Sequence, residues 1–310
     1  MIKSLFLSSC LSIVMLNITV CNAQQESLLS QYMFNGLILN PAYAGSKDYA
    51  SITAMFRKQW TGFPGAPVTQ SASIHGPLKN KKVGLGLMIA NDHAGVTNQT
   101  DIYGSYAYHI PLRNAKLALG IQFGISYVKS KLSDLTVWDA NDQVFELNTQ
   151  TNLLPNFGAG AYYYREKFYA GISIPHLMNY DPDRTLGIEM NDAFRQTRHY
   201  YLTAGYVVEA SRDVKIKPSV LLKYVQGAPV QFDANVNFLL NDILWVGASY
   251  RSNDALIAMI EYQINKKLRL GYSYDMTLSK LRSYQSGSHE ILLGFDFGYN
   301  ILKMKNPRYF

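Results

Sequence analysis

The sequence has little cysteine: of 310 residues two are cysteine, Cys10 and Cys21, and both fall within the first 23. Beyond that point no disulfide framework, thiol nucleophile or thiolate metal site is available. Charge is sparse too, at 16% of residues. The net charge of +7 comes from cations scattered through short stretches such as Lys79-Asn80-Lys81-Lys82 and Asn265-Lys266-Lys267. They form no stripe that would track a phosphate backbone, so nucleic acid is not an expected partner. After residue 23 no apolar run reaches the length of a membrane-crossing helix, which excludes that class of anchor. Signatures of chemistry are missing as well. Gly84-Leu85-Gly86 has no further glycine at phosphate-loop spacing and sits inside an alternating segment. His75, His93, His109, His176, His199 and His289 are dispersed, with no His-x-x-x-His pair, so no metal and no cofactor is expected. Ser73 and His75 share a face at spacing two, as do Ser288 and Glu290, but no oxyanion-hole motif accompanies them. The chain is not expected to be an enzyme.

What is present begins with export. Met1-Ile2-Lys3 is a short positive start, residues 5–20 are largely apolar, and Cys21-Asn22-Ala23 ends in a small residue. That order predicts a cleaved signal peptide over 1–23. Lipidation at Cys21 is disfavoured because bulky Val20 stands where a small residue is wanted. The chain also carries 23 tyrosines and 14 phenylalanines. With so few charges, such a composition either builds a large all-β core or faces lipid.

Alternation decides between these. Val230, Phe232, Ala234, Val236 and Phe238 point one way, and Gln231, Asp233, Asn235 and Asn237 the other. Leu117 to Tyr127, Leu268 to Tyr274 and Ile291 to Tyr299 repeat the pattern. On a helix the polar residues would fall on every face. Fourteen such segments lie near 48–59, 67–76, 82–91, 97–110, 115–130, 154–165, 167–175, 197–209, 213–225, 229–240, 242–252, 254–264, 266–277 and 287–301. Each suits a tilted membrane strand of about nine to eleven residues. Tyr103, Tyr108, Tyr162, Tyr250 and Tyr262 near their ends are expected to form interfacial girdles.

Starting the first strand at the periplasm makes every second connection periplasmic, and all of those are short. The longest, 131–153 and 176–196, then fall outside, as in outer-membrane barrels. The chain closes on an aromatic residue, Phe310, as many such barrels do. A secreted β-sandwich is the soluble alternative, but the glycine-rich inner faces (Gly84, Gly86, Gly120, Gly124, Gly158, Gly160) suit a barrel interior better. The expected architecture is all-β: a 14-stranded antiparallel transmembrane outer-membrane β-barrel over 48–310, preceded by a periplasmic or lumenal arm over 24–47.

Two regions are candidates for binding a partner or plugging the barrel. The arm carries Tyr32, Phe34, Leu39, Asn40 and Pro41, too apolar to stay free in the periplasm. The first outer loop carries Trp60, Phe63 and Pro64 in a rigid Gly/Pro-rich setting. On the inward faces Lys215, Lys217, Lys223, Asp233, Arg251, Glu261, Arg269, Asp275 and Asp296 are expected to form a lumenal charge network of mixed sign, which favours an ionic plug over an ion-selective lining.

Particular words carry more than pattern. Gln31-Tyr32-Met33-Phe34-Asn35, Leu39-Asn40-Pro41-Ala42-Tyr43-Ala44-Gly45, Gln59-Trp60-Thr61-Gly62-Phe63-Pro64-Gly65-Ala66-Pro67 and Ser73-Ile74-His75-Gly76-Pro77-Leu78 follow in order. So do Pro155-Asn156-Phe157-Gly158-Ala159-Gly160, Arg198-His199-Tyr200-Tyr201, Tyr250-Arg251-Ser252-Asn253-Asp254-Ala255, Gly271-Tyr272-Ser273-Tyr274-Asp275 and Gly287-Ser288-His289-Glu290. Together they resemble the PorP/SprF family of type IX secretion and gliding-motility outer-membrane proteins of the Bacteroidota. The resemblance implies an integral protein of the cell outer membrane, in contact with its lipid. It also implies partners among the secretion components or a secreted surface adhesin with a C-terminal secretion domain. Whether core machinery or a dedicated adhesin-export subtype is meant is left open by these words. The expected role is non-enzymatic assistance to export or surface anchoring. The alternative is an outer-membrane channel or hydrophobic-solute transporter, which an open lumen would favour.

Overall fold

A computed structural model of the chain describes residues 29–131, 150–178 and 197–297. The signal-peptide segment, the carboxy-terminal residues 298–310 and most of the two long outer connections lie outside these.

Strands form where apolar and small or polar residues alternate, because only a wall between lipid and a filled lumen rewards both faces. They are β1 (Ala50–Lys58), β2 (Val68–Pro77), β3 (Val83–Ala94), β4 (Thr97–Pro111), β5 (Lys116–Ser130), β6 (Gln150–Arg165) and β7 (Phe168–Ile174). There follow β8 (His199–Tyr206), β9 (Val208–Glu209), β10 (Val214–Val225), β11 (Gln231–Leu240), β12 (Leu244–Arg251), β13 (Ala255–Gln263), β14 (Leu268–Thr277) and β15 (Ser288–Phe297). Each pairs antiparallel with its chain neighbour, and β15 returns to pair with β1, closing the barrel. β8 and β9 are one barrel strand interrupted at Val207, a buried residue whose N–H donates to Lys167 O at 2.8 Å. The wall therefore has fourteen strands, at the positions the alternation predicts.

The structure departs from the sequence expectation in two respects. β6 begins at Gln150 because it pairs with β5 along its whole length, up to Ser130 opposite Gln150. The aromatic girdle is also smaller than expected. Tyr108, Tyr250 and Tyr262 face outward, but Tyr103 and Tyr162 are buried inside. A tyrosine suits a wet interface and a polar interior equally well, so its type does not reveal its side; its parity along the strand does.

The short connections at 78–82, 112–115, 166–167, 210–213, 241–243 and 264–267 all lie at one end, which is the periplasmic end by the rule for such barrels. Asn241 and Asp242 take left-handed backbone there (φ 51° and 57°), a conformation these two residue types tolerate in tight hairpins. The opposite, outer end carries the longer connections. Outward side chains such as Leu119, Ile121, Phe123, Val236, Phe238 and Leu293 stay exposed, while inward ones such as Ser126, Asn156, Asn237 and Ser273 are buried. A water-soluble protein would show the reverse.

Candidate functional site: the lumen and its arm

The inward faces are buried because the chain's own arm occupies the lumen. It is built of three single 3-10 turns, η1 (Tyr32–Phe34), η2 (Gly36–Ile38) and η3 (Pro41–Tyr43). Inside a lumen every backbone polar group needs a partner, and tight local turns supply several of them. Phe34 N donates to Gln31 O, Asn35 N to Tyr32 O and Ala44 N to Pro41 O, at 3.0 to 3.2 Å. η3 starts as its sequence dictates, with Pro41 in the first turn and the Asn40 side chain accepting from Ala42 N at 2.9 Å.

The arm's first described residues sit near the outer end, on buried charges. Glu290 accepts two successive main-chain N–H groups, Ser30 N and Gln31 N, both at 2.8 Å. Arg57 reaches Asp275 at 2.7 Å and Glu290 at 3.2 Å, and donates to Ser30 Oγ at 3.0 Å. Arg251 donates to Leu29 O at 3.2 Å and lies 3.4 Å from Asp233, which also pairs with Lys223 at 3.1 Å. Alternating signs, all buried, make this a locked plug of charges that neutralise one another. Arg57 and Glu290 extend the network beyond the charges expected from the sequence; their parity in β1 and β15 places both inward. Lys215, toward the end of β10 that carries the short turns, pairs with Asp242 in one of them.

From there the arm descends through two apolar layers. Leu29, Tyr32, Met33 and Phe34 pack with Met55, Leu221, Leu239, Trp245, Ile257, Met259 and Leu292, with the Phe34 and Trp245 rings 6.0 Å apart. Tyr32 Oη accepts from Asn235 Nδ2 at 2.8 Å. Lower down, Leu37, Ala42, Tyr43 and Ala44 pack with Ala107, Ala118, Tyr162, Tyr164 and Tyr169. Each large apolar side chain withdrawn from water contributes roughly 1.5–3 kcal/mol to keeping the arm inside. Leu39 O accepts from Ser173 Oγ at 2.6 Å, and Asn40 Nδ2 donates to Ala161 O and Ile172 O on β6 and β7.

The lower seat is backbone against backbone. A Cβ on Gly84 would lie 2.0 Å from Ala44 O, and one on Gly120 2.2 Å from Ala42 N. Gly45 itself has φ +72°, the left-handed turn from which the chain leads toward β1. Two histidines fix this turn: His75 Nδ1 accepts from Gly45 N at 3.2 Å, and His109 Nε2 lies 2.9 Å from Ala44 O, its Nδ1 being 3.1 Å from Tyr164 Oη. Ser73 meanwhile bonds Asn35 at 2.9 Å, so the Ser73 and His75 side chains serve the arm separately. Between arm and wall, beside Tyr32, Leu39, Tyr162 and Lys217, remains a gap of about 30 Å³, room for roughly one water.

The arm thus collects Tyr32, Phe34, Leu39, Asn40 and Pro41 along one path inside the barrel. Trp60, Phe63 and Pro64 stand apart, in the outer loop. That loop is tied to its neighbours by Thr61 N to Gly287 O and Ser286 N to Thr61 O, both 2.8 Å, and by Gly95 N to Gly65 O at 2.9 Å. Phe63 is 40% exposed. Among the described residues no group of three or more metal-ligating side chains comes together.

The sequence matches the family described as type IX secretion system membrane protein PorP/SprF over residues 21–295. Among curated proteins it finds no match. Solved structures similar to it include the outer-membrane protein Omp33 of Acinetobacter baumannii, 10% identical, covering 82% of this chain and 100% of that one with a TM-score of 0.48. A FadL homologue of Pseudomonas aeruginosa is 13% identical over 86% of this chain and 94% of that one, with a TM-score of 0.45.

Proposed function

Because the chain belongs to the PorP/SprF family of type IX secretion system membrane proteins, we propose that it serves export as a closed adaptor. In this reading it is non-enzymatic and binds a secreted surface protein, such as an adhesin with a C-terminal secretion domain, or another component of the apparatus. The arm is the observation that carries it. A lumen crossed end to end by 3-10 turns, two apolar layers and a buried ionic plug supports a scaffold better than a conduit. The channel or hydrophobic-solute transporter, the other reading of such a barrel, needs a continuous path that this packing opposes.

The eight candidate residues then divide by role. Tyr32, Phe34, Leu39, Asn40 and Pro41 hold the barrel shut. Trp60, Phe63 and Pro64 lie on a stiff loop at the outer mouth, where a partner is met without unfolding anything. The test pairs two measurements on the intact protein. In planar bilayers it should conduct little, and deletion of residues 30–44 should open it. In its own cells Phe63→Ala should lower export or retention of the partner while leaving the barrel assembled. Sizeable steady conductance by the intact protein, together with normal export by the Phe63→Ala variant, would defeat the adaptor reading.

A further inference from the structure

The lipid-facing wall formed by β15, β1, β2 and β3 is graded in polarity along the membrane normal. Register places four outward residues side by side at each level. At the outer rim these are His289, Lys58, Val68 and His93. One level down come Ile291, Phe56, Gln70 and Asn91, and below them Leu293, Ala54, Ala72 and Ile89. The two alanines are adjacent partners between branched neighbours, so they leave a notch. Together with Phe56, Gln70 and Ile291 they line an outward-opening groove of about 440 Å³. Levels two residues apart on a strand are separated by roughly 6.5 Å, so the cation Lys58 stands directly above the groove.

We propose that this groove is a binding site for a phosphorylated glycolipid of the outer leaflet, of the lipid A kind. One acyl chain lies in the Ala54–Ala72 notch and a phosphate meets Lys58 at the rim. Charge and shape both support this occupant. Lys58 is exposed and no ion pair is assigned to it among the described residues; His289 is anchored by Tyr272 Oη at 2.7 Å from its Nδ1, which fixes the ring beside Lys58. Gln70 presents an amide on this lipid-facing wall one level below Lys58, beside Asn91, whose Nδ2 is held by Asn98 Oδ1 at 2.6 Å and Thr100 Oγ1 at 2.9 Å on β4. A simple annular contact needs neither an amide nor a cation above a notch. A cation over an apolar groove offers a lipid phosphate its counter-charge and an acyl chain its seat.

The protein, purified in mild detergent, is tested with added bisphosphorylated lipid A, and bound lipid is counted by native mass spectrometry. One lipid should remain bound to the unmodified chain. Lys58→Glu and the notch-filling Ala72→Phe should each weaken retention by about tenfold or more, as loss of a charge-assisted contact or its acyl seat implies. Both variants should keep the heat-modifiable gel mobility of a folded barrel. Lys129→Glu, which alters an outward cation near the outer end of β5, should change nothing. The proposal fails if Lys129→Glu releases lipid as readily as Lys58→Glu, or if phosphatidylglycerol displaces lipid A at equal concentration. It also fails if all variants retain lipid alike, as they would were the groove the seat of a protein partner.

Discussion

At position 120 the wall has room for a hydrogen and nothing more. A Cβ there would sit 2.2 Å from Ala42 N and 2.4 Å from Ala42 Cα, both backbone atoms that cannot swing aside. Gly120→Val should therefore lift η3 from its seat, at an overpacking cost of about 1–3 kcal/mol. The expected outcome is a barrel that still assembles but whose arm is cleaved faster by added protease. Gly104 faces lipid on the neighbouring strand, with its nearest such atom 3.9 Å away. Gly104→Val should leave arm cleavage unchanged, and equal sensitivity of the two variants would show that Gly120 does not seat the arm. This seat was half legible in the sequence. The inward glycines marked a barrel interior, but the arm's turns against them could not be read, because single 3-10 turns have no period to detect. The charged residues followed the same rule: parity placed Arg57 and Glu290 inside, while only the fold brought both to Ser30.

Among the elements, the strands were the most legible, since period two survives wherever lipid and a packed lumen face each other. β15 shows why. Ile291, Leu293 and Phe297 are exposed, whereas Ser288, Glu290, Leu292 and Asp296 are buried. The tyrosines were the weak point, because Tyr103 and Tyr162 satisfy a lumen as readily as an interface. β15 also offers a sharp contrast between adjacent positions. Phe295 stacks edge-on with Phe297, ring centres 4.6 Å apart, on the lipid side. Its neighbour Asp296 faces inward and accepts from Ser51 Oγ at 2.7 Å. Leu293→Arg, on the same lipid face and midway along β15, should cost about 2–4 kcal/mol near the membrane midplane and prevent stable assembly. Asp296→Asn keeps an oxygen for Ser51 and should be mild, with denaturant midpoints in detergent reporting both. Comparable losses would mean that the two faces of β15 are exchanged.

For the whole molecule the decisive property is its direction in the membrane, because every functional statement depends on it. The ionic clamp on Leu29, Ser30 and Gln31 lies near the end that carries the long connections, and the Gly84–Gly120 seat near the end with the short turns. With that first end outward, the Phe63 loop faces extracellular partners and the Lys58 rim meets the outer leaflet. Inverted, the same loop would face the periplasm and the rim would meet ordinary phospholipid. The sequence itself provides a clean assay, since no cysteine occurs after residue 23. Single cysteines at Tyr284, 71% exposed in a long outer connection, and at Lys266, exposed in a short turn, differ only in the side they report. In intact cells a membrane-impermeant maleimide should label the cysteine at 284 and not the one at 266, and permeabilisation should expose both. Labelling at 266 alone would turn the molecule over and place the Phe63 loop on the wrong side for a secreted surface protein.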